Sequence, residues 1–405
     1  MSSNENAFDT AVRSVSGVYP AAPVVWSYSS LTEAQACPRR WMLTHASYPS
    51  IWARPGYPHR PSVPELAGRI VHRCIEVVLR ELRSQGCTAV SDPKAVSVLR
   101  TLGGYSRLAQ HTTDEVLEEF ANNPRAEPML TTIRLDLQRR LPDIRQQVQT
   151  LVARTSMAES LAQPPTVPAP QFHVPTPLRL GAYTEVTLDV PELHLVGRVD
   201  FIFVSASHCE ITDYKSGAPQ AEHDEQLRLY ALLWSRDRVR NPKSIPVEKL
   251  TVAYPGYDRT VEPPSDGELQ ALAEQILGRI ELATSDLQGR PPTAKPTEAN
   301  CTYCTVRHLC DEYWQSHLVR TAWQAPRVDY FADVELKIGE RNGTRSWIAE
   351  LAMDGSLVLL RTLDEAIHFS SGDSIRLLNV VINDDDATNT KTITLSRSSE
   401  AFQLR

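Results

Sequence analysis

The chain has 405 residues, of which 41% are hydrophobic and 22% are charged, and its formal net charge is −7. This composition is typical of a globular protein and excludes a fibrous or disordered chain, while the length favours two or three domains over one. The negative charge excludes a protein whose whole surface binds nucleic acid, although it is compatible with a local basic channel.

The sequence shows no sign of export or membrane insertion. The first residues, MSSNENAFDT, lack the basic-then-apolar order of a signal peptide, and no run of about 18 uninterrupted apolar residues follows them. We therefore expect a cytoplasmic protein. In that reducing compartment a metal centre explains a group of cysteines better than disulfides do.

The chain is expected to begin with a leader and a short helix. Residues 1–24 have no periodicity and predict a disordered leader. The following stretch, WSYSSLTEAQACPRRW, predicts a helix that is capped by Ser29 or Ser30 and is ended or kinked by Pro38.

The next predicted helix, PELAGRIVHRCIEVVLRELRS, is strongly amphipathic. It sets Gly68, His72 and Glu76 four residues apart on one face, where Glu76 either hydrogen-bonds within a site or faces solvent. Residues 87–160 are expected to be a mostly helical insertion. Four arginines of this insertion lie close together in the sequence. They are interpreted as a solvated helix face rather than a DNA-facing cap: Arg134, Arg139, Arg140 and Arg145.

Strands follow a proline-rich connector at residues 164–177. TEVTLDV, LVGRVDFIFV and CEITDYKSG predict a meander, and AEHDEQLRLYALLWSRD, VEKLTVAYPG and GELQALAEQILGRIELATSDL predict a helix, a strand and a helix. This order indicates an α/β core with a helical insertion.

Two carboxylates are expected to face each other in the meander. If residues 205–208 form the loop between LVGRVDFIFV and CEITDYKSG, the register pairs Phe201 with Thr212 and sets Asp200 across from Asp213. Like charges at that separation are destabilising unless a cation lies between them, and oxygen ligands suit magnesium or manganese. Lys215 shares the face of Asp213, so this group of residues suits phosphodiester hydrolysis.

After residue 314 the pattern becomes that of a small β domain. Residues 315–330 are expected to be a linker. Five short apolar runs in residues 331–405, separated by turns such as Asn342-Gly343 and Asp354-Gly355, predict a five-stranded barrel similar to an oligonucleotide-binding (OB) fold. Such a domain binds single-stranded DNA, docks a protein partner, or only packs against its neighbour.

Four of the seven cysteines suggest a metal centre. Cys301, Cys304 and Cys310 form a C-x2-C-x5-C group, and Cys37 is a remote fourth. Thiolates of this kind hold zinc or an iron–sulfur cluster. The other cysteines have no spacing partners and are interpreted as buried apolar residues: Cys74, Cys87 and Cys209.

The motifs taken together resemble the RecB-type branch of the PD-(D/E)XK nucleases over about residues 26–314. The resemblance rests on G-x-x-x-H in a helix, GRVD, DYKSG and Q-x-x-x-Y, in that order. The cysteines are similar to those of the iron–sulfur subgroup, which includes CRISPR-associated RecB-like and AddB-type nuclease domains. The resemblance implies a restriction-endonuclease-like core in a domain of residues 25–314.

The resemblance also implies roles for individual residues. The Mg²⁺ or Mn²⁺ ligands would be His72, Asp200, Asp213 and the carbonyl of Tyr214. Lys215 would be catalytic, and Gln226 and Tyr230 would lie beside the substrate backbone. Glu185 is a weaker candidate for a supporting carboxylate, against a solvated strand residue. A [4Fe-4S] cluster would be held by Cys37, Cys301, Cys304 and Cys310.

The function implied is that of a metal-dependent DNase. It would act on single-stranded DNA or DNA ends, as an exonuclease rather than an endonuclease, in repair, recombination or anti-phage defence. The alternatives are a DNA-binding scaffold or complex subunit without independent catalysis, and a module in which the cluster senses redox state.

Overall fold

The computed structural model describes residues 11–12, 19–155, 157, 176–324, 331–363, 367–385 and 390–404. The chain divides into two compact units. We call Pro23–Leu31 with Arg60–Leu282 the central unit, and Met1–Ala22, Thr32–His59 and Ala283–Arg405 the terminal unit. These bounds differ from the expected domain bounds, because the cysteine-bearing segments group with the C-terminal strands.

Helices are concentrated before the central sheet and around the cysteines. None of those in the described residues is long and apolar enough to span a bilayer. Their bounds are α1 Tyr28–Ala36, α2 Pro38–His45, α3 Val63–Ser84, α4 Ala95–Thr101, α5 Gly104–Glu118, α6 Leu130–Arg154, α7 Glu222–Arg236, α8 Asp266–Asp286, α9 Glu298–Cys301, α10 Asp311–Gln315 and α11 His317–Gln324.

The strands form two sheets, one in each unit. Those of the central unit are β2 Trp26–Ser27, β3 Gly181–Val190, β4 Leu195–Val204, β5 Cys209–Tyr214, β6 Val247–Ala253 and β7 Asp258–Val261. Those of the terminal unit are β1 Ala11–Val12, β8 Phe331–Gly343, β9 Ser346–Leu351, β10 Leu357–Thr362, β11 Ser374–Asp385, β12 Thr390–Leu395 and β13 Glu400–Leu404.

The central sheet has the order β2-β4-β5-β6-β7, and β3 pairs with β4. Strands β3, β4 and β5 form the expected antiparallel meander, whereas β5 and β6 are parallel and therefore end at the same edge. The register between β4 and β5 is as predicted from the sequence, with Phe201 opposite Thr212 and Val204 opposite Cys209.

Helix α3 anchors the core of the central unit. It begins at a capping box in which Ser62 accepts from the backbone of Glu65 and the Glu65 side chain accepts from the backbone of Ser62. Its apolar face is buried with residues of α5, α6 and the sheet. On the outside of the insertion, Arg134 and Arg139 pair with acidic side chains, which agrees with a solvated face.

Five strands of the terminal unit pair in a closed circuit, β8-β9-β10-β12-β11 and back to β8. All contacts in this circuit are antiparallel except β10 with β12. Strand β13, which was not predicted, pairs with the first half of β11 and with β1.

Three expectations need correction. The first helix begins at Tyr28, and its cap is Ser27 rather than Ser29 or Ser30, because pairing of β2 with β4 fixes the preceding residue as strand. Residues 317–324 of the expected linker are helical, since α11 buries Leu318 and Val319. In the expected leader, residues 11–12 are a strand, while residues 1–10 and 13–18, like the connector at 164–175, lie outside the described part.

Candidate active site

The centre of the site is the end of β5, where Asp213 and Lys215 lie. Extending the β4–β5 register by one residue sets Asp200 across from Asp213. Asp200 Oδ2 also accepts the backbone N–H of Tyr214 at 2.8 Å. Lys215 Nζ lies 2.6 Å from Asp213 Oδ2. The sheet therefore brings two carboxylates and one ammonium group together, as the sequence predicts.

Asp213 is the most deeply buried acid of this group. Its exposed fraction is 2%, and, apart from the ion pair with Lys215, its Oδ2 atom has no hydrogen-bond partner. Burial, followed by the charge of Asp200, raises the pKa of Asp213, and Lys215 and His72 only partly offset this. A carboxylate held in this way is suited to a cation.

His72 reaches the same place from α3. Its Nδ1 atom lies 3.5 Å from Asp200 Oδ2. Burial lowers the pKa of His72, but the hydrogen bond and charge of Asp200, together with the charge of Asp213, outweigh burial and raise it. The imidazole therefore interacts electrostatically with both carboxylates.

Glu185 lies across from Asp200 on β3, between the paired residues Thr184 and Val186. Its backbone is left-handed, with a φ of 53°, and its Oε2 atom lies 2.5 Å from Arg198. Burial and the charge of Asp200 raise the pKa of Glu185. Strained backbone of this kind clusters at functional sites, so Glu185 is a stronger candidate than the sequence alone indicates.

A chain of polar contacts supports the lysine. Gln226 Oε1 accepts a hydrogen bond from Lys215 Nζ at 2.9 Å, and Gln226 Nε2 donates to the hydroxyl of Tyr230 at 2.7 Å. The two residues lie one turn apart on α7, so the helix presents both to the sheet. Burial raises the pKa of Tyr230, so its hydroxyl stays protonated.

Two glycines allow close packing around these side chains. A Cβ atom on Gly197 would lie 2.5 Å from Leu233 Cδ1 and 3.1 Å from the ring of Tyr230. A Cβ atom on Gly68 would lie 2.7 Å from Ser216 Oγ. The glycine of GRVD therefore makes room for the tyrosine of Q-x-x-x-Y.

The remaining predicted residues of the site differ in their placement. The Tyr214 side chain is buried away from the carboxylates, with its hydroxyl 2.8 Å from Thr155 Oγ1, so only its backbone faces them. Glu76 Oε1 lies 3.2 Å from Arg80, and the charge of Glu76 contributes to the raised pKa of Glu185. Glu76 thus lies at the rim of the site.

The four grouped cysteines lie in the terminal unit and line one cavity. The cavity is also lined by cationic residues, namely Arg39, Arg40, Lys295 and Arg307. The backbone N–H of Lys295 points at Cys37 Sγ at 3.5 Å. Burial raises the pKa of Cys304 to about 11 and that of Cys310 to about 12. Cys74, Cys87 and Cys209 are buried elsewhere.

Both sets of donors consist of side chains that bind metals in other proteins. Across the described ranges, no three His, Cys, Asp or Glu side chains form a group with metal-site spacing. In the central unit, the buried carboxylate of Asp213, opposite Asp200 and close to His72, fits a hard divalent cation. In the terminal unit, four thiols surrounded by cations fit an anionic thiolate cluster.

Two tyrosines beside the site were not singled out from the sequence. Tyr254 and Tyr257 flank the turn after β6, next to Lys215, whose backbone N–H donates to the carbonyl of Ala253 at 2.9 Å. The signal in the sequence was AYPGY, a Pro-Gly turn at the end of a predicted strand. Because that strand is parallel to β5, the turn lies at the same edge of the sheet as Lys215.

Comparison with known proteins gives one family assignment. A search of curated proteins found no match. The profile of the PD-(D/E)XK nuclease superfamily matches residues 25–311, well over half of the chain, and this range includes the site and all four grouped cysteines. The chain therefore belongs to the PD-(D/E)XK nuclease superfamily.

Proposed function

We propose that this protein is a metal-dependent DNase that hydrolyses phosphodiester bonds at the end of β5. The observation that carries the proposal is the 2.6 Å contact of Lys215 Nζ with Oδ2 of the buried Asp213. Family membership supports a nuclease, and the opposed Asp200 supports a cation at this place.

The cation would be Mg²⁺ or Mn²⁺, held by His72, Asp200, Asp213 and the carbonyl of Tyr214. When bound, it would polarise the phosphate and favour the ionised form of an attacking water. Lys215 would stabilise negative charge on the phosphate as it develops, and Gln226 would hold the ammonium group in place. Glu185 would add a supporting carboxylate at the rim.

Mutation of the lysine tests the catalytic proposal. Lys215→Ala should lower the cleavage rate by at least about 100-fold, because it removes a positioned charge from the transition state. Its fold should survive, because Lys215 is a partly exposed residue at a strand end. The control is Lys249→Ala, on the neighbouring strand and paired with Glu210. Equal DNA cleavage by Lys215→Ala and wild type would refute the proposal.

The proposed substrate is single-stranded DNA or DNA ends. The protein would degrade it as an exonuclease, in repair, recombination or anti-phage defence. End-labelled linear DNA and circular single-stranded DNA should be compared in manganese, with Asp213→Ala as the blank. Mononucleotides or short products from linear DNA only would support this. Cleavage of the circle at the same rate would instead identify an endonuclease.

The cysteine cavity is proposed to hold a [4Fe-4S] cluster. Its four thiols and cationic lining support this proposal, and zinc is the competing ion. Protein purified without oxygen should absorb visible light and contain about four irons per chain. One zinc per chain, with no iron and no visible absorption, would exclude the cluster.

The five-stranded circuit of residues 331–405 is proposed to be OB-like and to bind single-stranded DNA. Its order, with one parallel contact between the third and fifth strands, supports this interpretation. Arg341 and Arg361 are exposed on it. Arg341→Glu with Arg361→Glu should weaken single-strand binding. Unchanged affinity, combined with capture of a protein partner, would favour docking instead.

A further inference from the structure

The turn between β6 and β7 carries a pair of stacked tyrosines. Tyr254 donates its backbone N–H to the carbonyl of Tyr257 at 2.9 Å, which closes a tight turn over Pro255 and Gly256. The two rings have centroids 5.1 Å apart and planes inclined by 28°. Tyr254 is 2% exposed, whereas Tyr257 is 48% exposed. The pair is therefore an aromatic stack with its outer ring partly open to solvent.

The inner ring is held firmly in place. The Tyr254 hydroxyl lies 2.8 Å from His223 Nδ1, and the guanidinium of Arg259 lies 5.8 Å from the ring centroid. Arg154 donates a hydrogen bond to the Tyr254 carbonyl. The proline restricts the turn, so little freedom would be lost when the outer ring contacts a ligand.

The pair stands beside the catalytic strand end. Strands β5 and β6 are parallel, with Asp213 opposite Val252 and Tyr214 opposite Ala253. Tyr254 is the next residue after Ala253, so it lies across from Lys215. Neighbouring strands lie about 4.8 Å apart, so a chain of nucleotides passing Lys215 must pass close to this turn.

We propose that Tyr257 stacks on an unpaired base of the DNA strand bound at Lys215, which makes the turn a subsite for single-stranded DNA. This rests on the proposed nuclease function. An exposed aromatic ring can cover the face of any base, whereas the base faces within a duplex are covered by their neighbours. The subsite would therefore discriminate single strands from duplex without reading sequence.

Binding measurements test the subsite directly. Fluorescence anisotropy with a labelled single-stranded oligonucleotide should be performed in the Lys215→Ala background, which prevents cleavage. Tyr257→Leu should raise Kd about 5- to 100-fold, whereas Tyr257→Phe should bind like the parent. Blunt duplex DNA should bind equally to all three. Val239→Ala is the control, because Val239 is also 48% exposed but follows α7 at the end opposite to Gln226.

A change in the DNA identifies the stacked base. One abasic position should be moved along the oligonucleotide. At one position it should weaken binding of the parent but not of Tyr257→Leu. An equal abasic effect in both proteins at every position, or an unchanged Kd for Tyr257→Leu, would overturn the inference. If wild type cleaves DNA and only these results fail, the nuclease proposal survives; if wild type cleaves no DNA, the nuclease proposal fails first.

Discussion

The ionised side chain of Asp213 lowers the stability of the folded protein. Its carboxylate is buried opposite Asp200, where both desolvation and like charge oppose ionisation. A cation would relieve this cost, which Lys215 and His72 offset only in part. The folded protein is therefore least stable when Asp213 is ionised, which is the state that would bind a cation.

This cost predicts an unusual pH dependence. Folding raises the pKa of Asp213 from 3.8 to about 7, so the folded protein binds the proton more tightly and loses stability as pH rises between these values. With chelator present, Asp213→Asn should raise the free energy of unfolding by about 1–3 kcal/mol at pH 8, and by less at pH 5. Urea denaturation at both pH values measures this.

A second buried acid provides the control. Asp237 accepts backbone N–H groups from Asp189, Val239 and Arg240. Asp237→Asn should therefore lower stability, because an amide oxygen is a weaker acceptor. An Asp213→Asn variant that is less stable than wild type at pH 8 would contradict the proposed strain.

Gly197 offers a test of packing within the site. Gly197→Ala would force its new methyl group against Leu233 and the ring of Tyr230, which holds Gln226 and through it Lys215. We expect a loss of about 1–3 kcal/mol in stability and a lower kcat on DNA. The control is Gly267→Ala, since nothing lies near a Cβ atom there. Full activity of Gly197→Ala would show that Tyr230 does not position the lysine.

Among the elements, the segment between Cys304 and Cys310 is tied to the β strands of its own unit. Arg307 contacts Asp333 on β8 at 2.6 Å, and Tyr313 donates to the same carboxylate at 2.7 Å. His308 stacks on Phe402 of β13, with ring centroids 3.7 Å apart. The segment that carries Cys304 and Cys310 is thus packed directly against the β strands of the terminal unit.

Breaking the Arg307 ion pair should be costly. Arg307→Met leaves Asp333 as a buried charge without its main partner and should destabilise the protein by about 3–5 kcal/mol. Arg307→Met combined with Asp333→Asn should recover part of that loss, as measured by urea denaturation. A double variant no more stable than the single one would show that the two residues do not act as a pair.

Sequence patterns predicted which helices and strands form better than they predicted where each one begins and ends. The β4–β5 register followed from a fixed loop and strict alternation, so the opposition of Asp200 and Asp213 was predictable. The Ser27 cap was missed because β2 is only two residues long and exists only through pairing with β4. Strand β13 was missed because it has little periodicity of its own and gains its place by pairing with β11.

At the scale of the whole molecule, the two sites carry separate predictions. Loss of Cys304 removes a thiol from the cavity that joins residues before and after the central unit. Cys304→Ser should therefore lower the melting temperature by several degrees and reduce iron content, whereas Lys215→Ala should leave the iron content unchanged. A Cys304→Ser protein with normal melting and normal iron would separate this cysteine from the proposed cluster.

The division into units could not be predicted from motifs, because it depends on contacts between distant segments. Cys37 and the C-x2-C-x5-C group suggested that both flanks of the nuclease segment meet. What the spacing did not reveal is how the second flank is bound to the β strands. Arg307 and His308 contact Asp333 and Phe402, and Asp311 contacts Arg376 of β11. Those partners are separated by tens of residues and leave no periodic signal.

The terminal unit combines segments that precede and follow most of the central unit in the sequence, and this determines the order in which the two units can fold during synthesis. As the chain leaves the ribosome, residues 60–282 emerge complete, while residues 32–59 must wait for partners that begin at Ala283. The central unit can therefore fold first, because domains fold as units during translation. Until the segment that ends at Tyr313 is made, the cavity lined by Cys37 lacks its other three thiols, so the proposed cluster could be loaded only after that point of synthesis.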